Sequence, residues 1–158
     1  MKRTIFLLVF ILTAFPIFSQ HIIFIGPMLH INFGGEKAKL SYAVEASYWT
    51  WNAKQLPLLG ADIGFEWEKG KKRLYAEGQT GIALAGVSAG PFLEFSPSES
   101  TKPGFQMSVW GNYYLGFDLR YRIQKGQNVF APGVYAKAPI YSGPDDGDGD
   151  SDNDFDWD

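Results

Sequence analysis

The stretch LGADIGFEWEKGKKRLYAEGQ, residues 59–79, decides how the rest of the chain is read. Its first limb alternates, with Leu59, Ala61, Ile63, Phe65 and Trp67 on one side and Gly60, Asp62, Gly64, Glu66 and Glu68 on the other. Successive side chains of a strand point to opposite faces, so this limb has one apolar face and one small or acidic face. A short basic connection follows, Lys69-Gly70-Lys71-Lys72, and the alternation then resumes. In the second limb Leu74, Ala76 and Gly78 oppose Arg73, Tyr75, Glu77 and Gln79. Two limbs of period two about a Gly-centred turn predict an antiparallel hairpin.

Working outward, the same pattern recurs along the chain. It predicts strands at about 21–33, 39–51, 85–95 and 128–140, with two more inside 105–123. Between them lie a tight loop at 34–37 and a Pro/Ser/Thr-rich loop at 96–103. Two places stay open. From 105 to 123 every odd position is apolar or Gly, so a two-residue Gly111-Asn112 turn would swap the parity. Either that turn is longer or the segment is one long strand; the 78–86 stretch is similarly smooth. Single-chain bacterial barrels have even strand numbers from 8 upward, which favours eight. An internal echo links Ile25-Gly26-Pro27-Met28 with Ala89-Gly90-Pro91-Phe92. Proline cannot donate to a ladder, so the echo predicts two equivalent bends, on the first and fifth strands.

The placement of charge decides which face meets what. Residues 20–35, 103–117 and 127–136 carry none, 40–53 carries only Glu45, 55–65 only Asp62, and 74–93 only Glu77. Each window is as long as the roughly 9–11 residues a tilted strand needs to cross a bilayer, or longer. The second face of these strands is built of Gly, Ala, Ser, Asn, Gln and a few aromatics. It is too poor in charge for a water-facing surface and suits the filled lumen of a narrow barrel. The fold class expected is therefore all-β: a closed antiparallel up-and-down transmembrane barrel, apolar outward and polar inward. Trp49, Trp51, Trp67, Trp110, Tyr48 and Tyr113 fall near strand ends, where interfacial aromatic girdles are expected. Lys37, Lys39, Lys69, Lys71, Lys72 and Arg73 read as a charged outer rim.

The ends divide the chain. Met1-Lys2-Arg3, an apolar run to Phe15 and the small Ser19 have the form of a secretory signal peptide over residues 1–19. The barrel occupies 20–141 and an acidic tail 142–158. From 20 to 144 the charge sums to +3, whereas 145–158 holds eight Asp and no base, so the overall acidity belongs to the tail. Cysteine is absent, which removes disulfides, thiolate metal sites and cysteine nucleophiles.

Signal segment, alternation, charge placement and girdle together resemble the small outer-membrane β-barrel proteins related to the OmpA transmembrane domain and OmpX. The resemblance covers residues 20–141 and implies localisation in the cell outer membrane. Its implied partners are the lipid bilayer and the outer-membrane assembly machinery. It also implies that 34–37, 69–72, 96–103 and 125–127 are outer loops. These are short for that group, and the chain ends on the acidic tail rather than on the aromatic residue that assembly machinery commonly recognises; Tyr141 is the nearest candidate.

Candidate chemistry is sparse. Glu45, Asp62, Glu66, Glu77, Glu94, Asp118, Arg120 and Arg122 face inward, where charges must be paired or wet; they read as an ion-pair network plugging the lumen, with a proton or ion path as the sharper alternative. His30 lies in His30-Ile31-Asn32, close to the His-x-Ser arrangement of some outer-membrane lipid deacylases. An amide at Asn32 cannot be the nucleophile such chemistry needs, so His30 reads as a hydrogen-bonded lumenal histidine. In the tail, Asp146, Asp148, Asp150 and Asp152 alternate as weak calcium ligands would. A solvated disordered tail is the simpler reading, and no other cofactor is implied. Phe155 and Trp157 could dock the tail to a periplasmic partner. No Gly-rich phosphate loop or basic-aromatic patch points to nucleotides or nucleic acid. The expectation is thus a non-enzymatic, porin-like barrel with a structural or interaction role. The rivals are a soluble exported barrel holding an apolar ligand and a lipid-modifying enzyme.

Overall fold

The computed structural model describes residues 20–35, 37–51, 58–82, 84–112 and 114–142. The expected signal peptide, the tail with its Asp146, Asp148, Asp150 and Asp152, and Tyr113 lie outside the described residues. Nine strands form one sheet: β1 Gln20–Asn32, β2 Lys39–Trp51, β3 Leu58–Glu68, β4 Lys71–Ile82, β5 Ala85–Ser96, β6 Glu99–Gly111, β7 Leu115–Gln124, β8 Gln127–Ala136 and β9 Ala138–Ser142. Each of β1 to β7 pairs antiparallel with the next, and both β8 and β9 return to pair with β1. Because β8 and β9 are one strand interrupted at Lys137, the sheet closes as an eight-stranded antiparallel barrel. No described residue is helical.

The hairpin at 59–79 forms with Glu68 opposite Lys71 and Lys69-Gly70 as its two-residue turn. Gly70 has φ 81°, and the second Lys-Gly turn, at 125–126, places Gly126 at φ 85°. A side chain at either glycine would meet left-handed strain, which fixes where these hairpins reverse. The two open segments resolve differently. Residues 83–84 are a two-residue connection, so outward parity passes from even positions in β4 to odd positions in β5. Residues 112–114 are a three-residue connection with Asn112 at φ 69°, so odd positions stay outward through β6 and β7.

Two expected boundaries move. The 96–103 loop is mostly strand: Ser96 pairs with Glu99 and Leu93 with Pro103, leaving only Pro97-Ser98 as turn. Turn-forming residues there are overridden by ladder pairing with β5, helped by an irregularity between Glu94 and Ser96. The last strand is broken at Lys137. That break lies against Gly26-Pro27 of β1, and the β4–β5 ladder has its own gap where Ala76-Glu77 meets Gly90-Pro91. A Cβ on Gly26 would lie 1.8 Å from the Ala136 carbonyl oxygen, and one on Gly90 would lie 2.0 Å from that of Ala76. The two Gly-Pro pairs thus occupy matching bends, four strands apart around the barrel, where only glycine lets the neighbouring backbone come so close.

The faces are inverted relative to a soluble sheet. Ile63 and Leu74 are 56% and 40% exposed, while Asp62 and Glu77 are 5% and 3% exposed. Outward rows run in register across strands, such as Val44–Phe65–Leu74–Leu93 and Tyr48–Ala61–Gly78–Ala89–Met107–Tyr121. Inside, Phe24, Met28, Trp49, Leu58, Trp110 and Tyr135 form an apolar cluster toward the chain termini, and the charges fill the remainder.

Candidate functional site

The lumen holds the chemistry. Inward parity brings all eight nominated residues, Glu45, Asp62, Glu66, Glu77, Glu94, Asp118, Arg120 and Arg122, into the buried interior. They form two connected clusters.

The first lies toward the hairpin end and is organised by Arg73. Its guanidinium donates from Nη1 to Glu66 at 2.8 Å, from Nη2 to Glu68 at 2.9 Å and from Nε to Glu94 at 2.8 Å. Arg122 shares Glu66 through Nη2 and also donates to Gln106 at 3.0 Å and Asn32 at 2.8 Å. The Asn32 amide donates in turn to Ser41 at 2.8 Å and Glu68 at 3.0 Å. Lys71 closes this cluster from the rim, 3.0 Å from Glu94. The planar five-donor fork of arginine bridges several strands in fixed geometry, which a lysine could not do.

The second cluster sits mid-barrel. Glu45 accepts from the Tyr75 hydroxyl at 2.7 Å, from Lys137 Nζ at 2.5 Å and from Arg120 at 3.2 Å. Arg120 Nη2 also lies 3.0 Å from Asp118 and 3.8 Å from Glu77, and its guanidinium stacks over the Tyr75 ring at 4.5 Å. Tyr75 reaches inward because Gly64 faces it: a Cβ at 64 would fall 2.2 Å from the phenol oxygen. His30 Nε2 is 2.8 Å from Asp118 in full burial. Asp62 accepts from Gln79 at 2.7 Å. Glu77 stands opposite Asp62 in the β3–β4 ladder, and neither of its oxygens has a hydrogen-bond partner among the described residues.

Three sequence assignments are corrected. Arg73 is not on the rim but 3% exposed at the centre of the first cluster. Its parity, shared with Tyr75 and Glu77, already pointed inward; its three lysine neighbours obscured that. Trp49 and Trp110 are not in an outer girdle; both are buried and pack edge to face at 5.4 Å inside the terminal end of the lumen. Here too parity outweighs position along the strand. Lys137 carried no signal, because its inward reach depends on the break in the last strand. Trp67 and Tyr48 do lie on the outer face, with Trp67 stacked on Tyr42 at 5.2 Å.

Bridging arginines fill the lumen and tie strands to one another. No group of three or more His, Cys, Asp or Glu among the described residues could hold a metal ion.

No protein-family model matches the chain, and no curated protein matches it. Solved structures do. The NMR structure of the de novo designed protein TMB2.3 aligns with TM-score 0.50 and 8% identity over 80% of this chain and 99% of that one. A design described as a transmembrane β-barrel aligns with TM-score 0.49 and 12% identity over 74% of this chain and 95% of the other. The outer membrane protein Ail of Yersinia pestis, in a phospholipid bilayer nanodisc, aligns with TM-score 0.42 and 10% identity over 77% of this chain and 100% of its own. At such identities the likeness is one of fold.

Proposed function

We propose that the chain is a small integral barrel of the outer membrane, exported by its N-terminal segment and inserted by the outer-membrane assembly machinery. Its lumen is held shut by its own side chains, and its role is structural or interactive rather than enzymatic. The same proposal includes kinship with the group of the OmpA transmembrane domain and OmpX.

The inversion of faces carries this reading. Below the row of Lys72, the outward strand positions hold no charged side chain among the described residues, while seven carboxylates and three guanidinia lie inside. From Lys72 to Ile82 of β4 is ten residue steps, about 33 Å along a strand. With a tilt of about 40° that spans about 25 Å, the height of an apolar band in such barrels. Water would not tolerate such a wall on a monomer, and lipid requires the edge-free closure the sheet has. A soluble carrier of an apolar ligand needs the opposite arrangement, an apolar cavity under a polar exterior.

Membrane fractionation with gel migration before and after boiling tests the proposal. The folded barrel is expected with outer membranes and to change mobility on heating. Recovery wholly in the soluble periplasmic fraction would sink it.

A further inference from the structure

We propose that the outer wall at the hairpin end holds a phosphate-bearing membrane lipid, its headgroup on Lys69 and Lys72 and its acyl chain on the apolar rows below. This rests on the bilayer reading and adds a ligand to it.

One cross-strand row carries the inference. Tyr42 of β2, Trp67 of β3, Lys72 of β4 and Phe95 of β5 are successive partners in the ladders and all point outward. Tyr42 and Trp67 stack nearly parallel, with planes 11° apart, and Phe65 meets Trp67 edge-on at 4.5 Å. Tyr42, Trp67 and Phe95, with Leu40 and Pro97, border an open groove of about 810 Å³ whose walls are mostly apolar. Lys69 and Lys72 stand at its upper edge.

The charge above the groove is unspent. Lys71, between the two lysines, turns inward to Glu94, and the nearby Glu66 and Glu68 are held by Arg73. Neither Lys69 nor Lys72 has a carboxylate partner among the described residues. Two free ammonium groups over an aromatic floor, continued downward by Val44, Phe65, Leu74 and Leu93, complement an amphiphile with an anionic head and an apolar tail. Aromatic rings with one wet edge favour that headgroup depth. A zwitterionic lipid would meet the same apolar floor without the net attraction.

The test uses the full chain refolded into phosphatidylcholine vesicles containing a small fraction of brominated phosphatidylglycerol or, separately, brominated phosphatidylcholine. Quenching of tryptophan fluorescence is read, and the same measurement on Trp67→Phe isolates the contribution of Trp67. The anionic bromolipid is expected to be enriched at Trp67 about five-fold or more over the zwitterionic one, on the scale of about five-fold per lysine at an anionic surface. High salt should shrink that preference, and Lys69→Gln/Lys72→Gln should abolish it while heat-modifiable migration persists. Equal quenching by both lipids, or a preference surviving the double substitution, overturns the site. Loss of the preference on adding millimolar glycerol phosphate assigns the groove to a soluble anion and likewise overturns a lipid occupant. Failure of the chain to float with vesicles would instead overturn the bilayer reading beneath it.

Discussion

Arg73 bonds three carboxylates from three directions, and buried Glu77 makes no hydrogen bond among the described residues; the two mark the extremes of the buried charge. Removing Arg73 would leave Glu66 with Arg122 as its cation, Glu68 with the Asn32 amide and the distant Lys39 at 3.7 Å, and Glu94 with Lys71. Breaking a buried pair by deleting one partner typically costs about 3–5 kcal/mol, because the abandoned charge stays desolvated. Arg73→Ala is therefore expected to lose stability on that scale in urea titrations of the barrel refolded in lipid vesicles. Glu77 behaves oppositely. It faces Asp62 directly across the ladder, its cation is 3.8 Å away, and both its oxygens lack hydrogen-bond partners among the described residues. Like charges directly opposite on a sheet are destabilising, so Glu77→Gln is expected to raise the urea midpoint slightly. A clear drop would mean that Glu77 holds Arg120 more firmly than the distance implies. Parity alone makes both residues legible as inward. Which of them is satisfied depends on partners such as Asp118 and Glu94, brought in by strands far along the chain, and no local pattern encodes that.

Strands are where the sequence speaks most directly, since period-two alternation is a property of the backbone and needs no partner to be read. The 59–79 hairpin shows it: each face and the Lys69-Gly70 turn follow from the residue order. Alternation fails where turn chemistry and pairing compete. Residues 96–103 have loop composition, yet they extend because β5 offers a ladder to close. Lys137 breaks the last strand because Gly26 opposite it admits close backbone contact, a cause 111 positions earlier in the chain. The outward face makes a prediction at this scale. Ile63 lies mid-wall between Ala46 and Ala76, whereas Leu40 is beyond the Tyr42–Trp67 row near the rim. Arginine on a lipid-facing strand costs about 2–4 kcal/mol at the bilayer midplane and about 0–1 near the interface. Ile63→Arg should therefore be strongly destabilising in vesicles and Leu40→Arg nearly silent, as read by the same urea titration. Equal costs at the two positions would contradict the depth assigned to the wall.

At the scale of the whole molecule, closure and filling are separate facts. Eight strands leave an interior just wide enough for side chains, and here those side chains divide it into three levels. Toward the hairpins sit Arg73 and Arg122 with their carboxylates; in the middle lie Arg120, Tyr75, Glu45 and His30; toward the termini Trp49 and Trp110 pack with Phe24 and Tyr135. Within each charged level arginine joins strand to strand, and the aromatic level closes the terminal end, with the Lys137 ammonium 4.9 Å from the Tyr135 ring centroid. An ion crossing the lumen would have to part these arginine–carboxylate contacts and then pass the aromatic layer. The intact barrel in planar bilayers is accordingly expected to give no steady current. Arg73→Ala together with Arg122→Ala would empty the hairpin level but leave the two tryptophans in place, so the double variant should stay closed. Adding Trp49→Ala and Trp110→Ala removes the aromatic seal as well, and only that combination should conduct, with cation preference from the carboxylates left behind. Current through the arginine double variant would place the barrier in the ion pairs alone; silence of the fourfold variant, with folding verified by heat-modifiable migration, would place it at the Arg120 level.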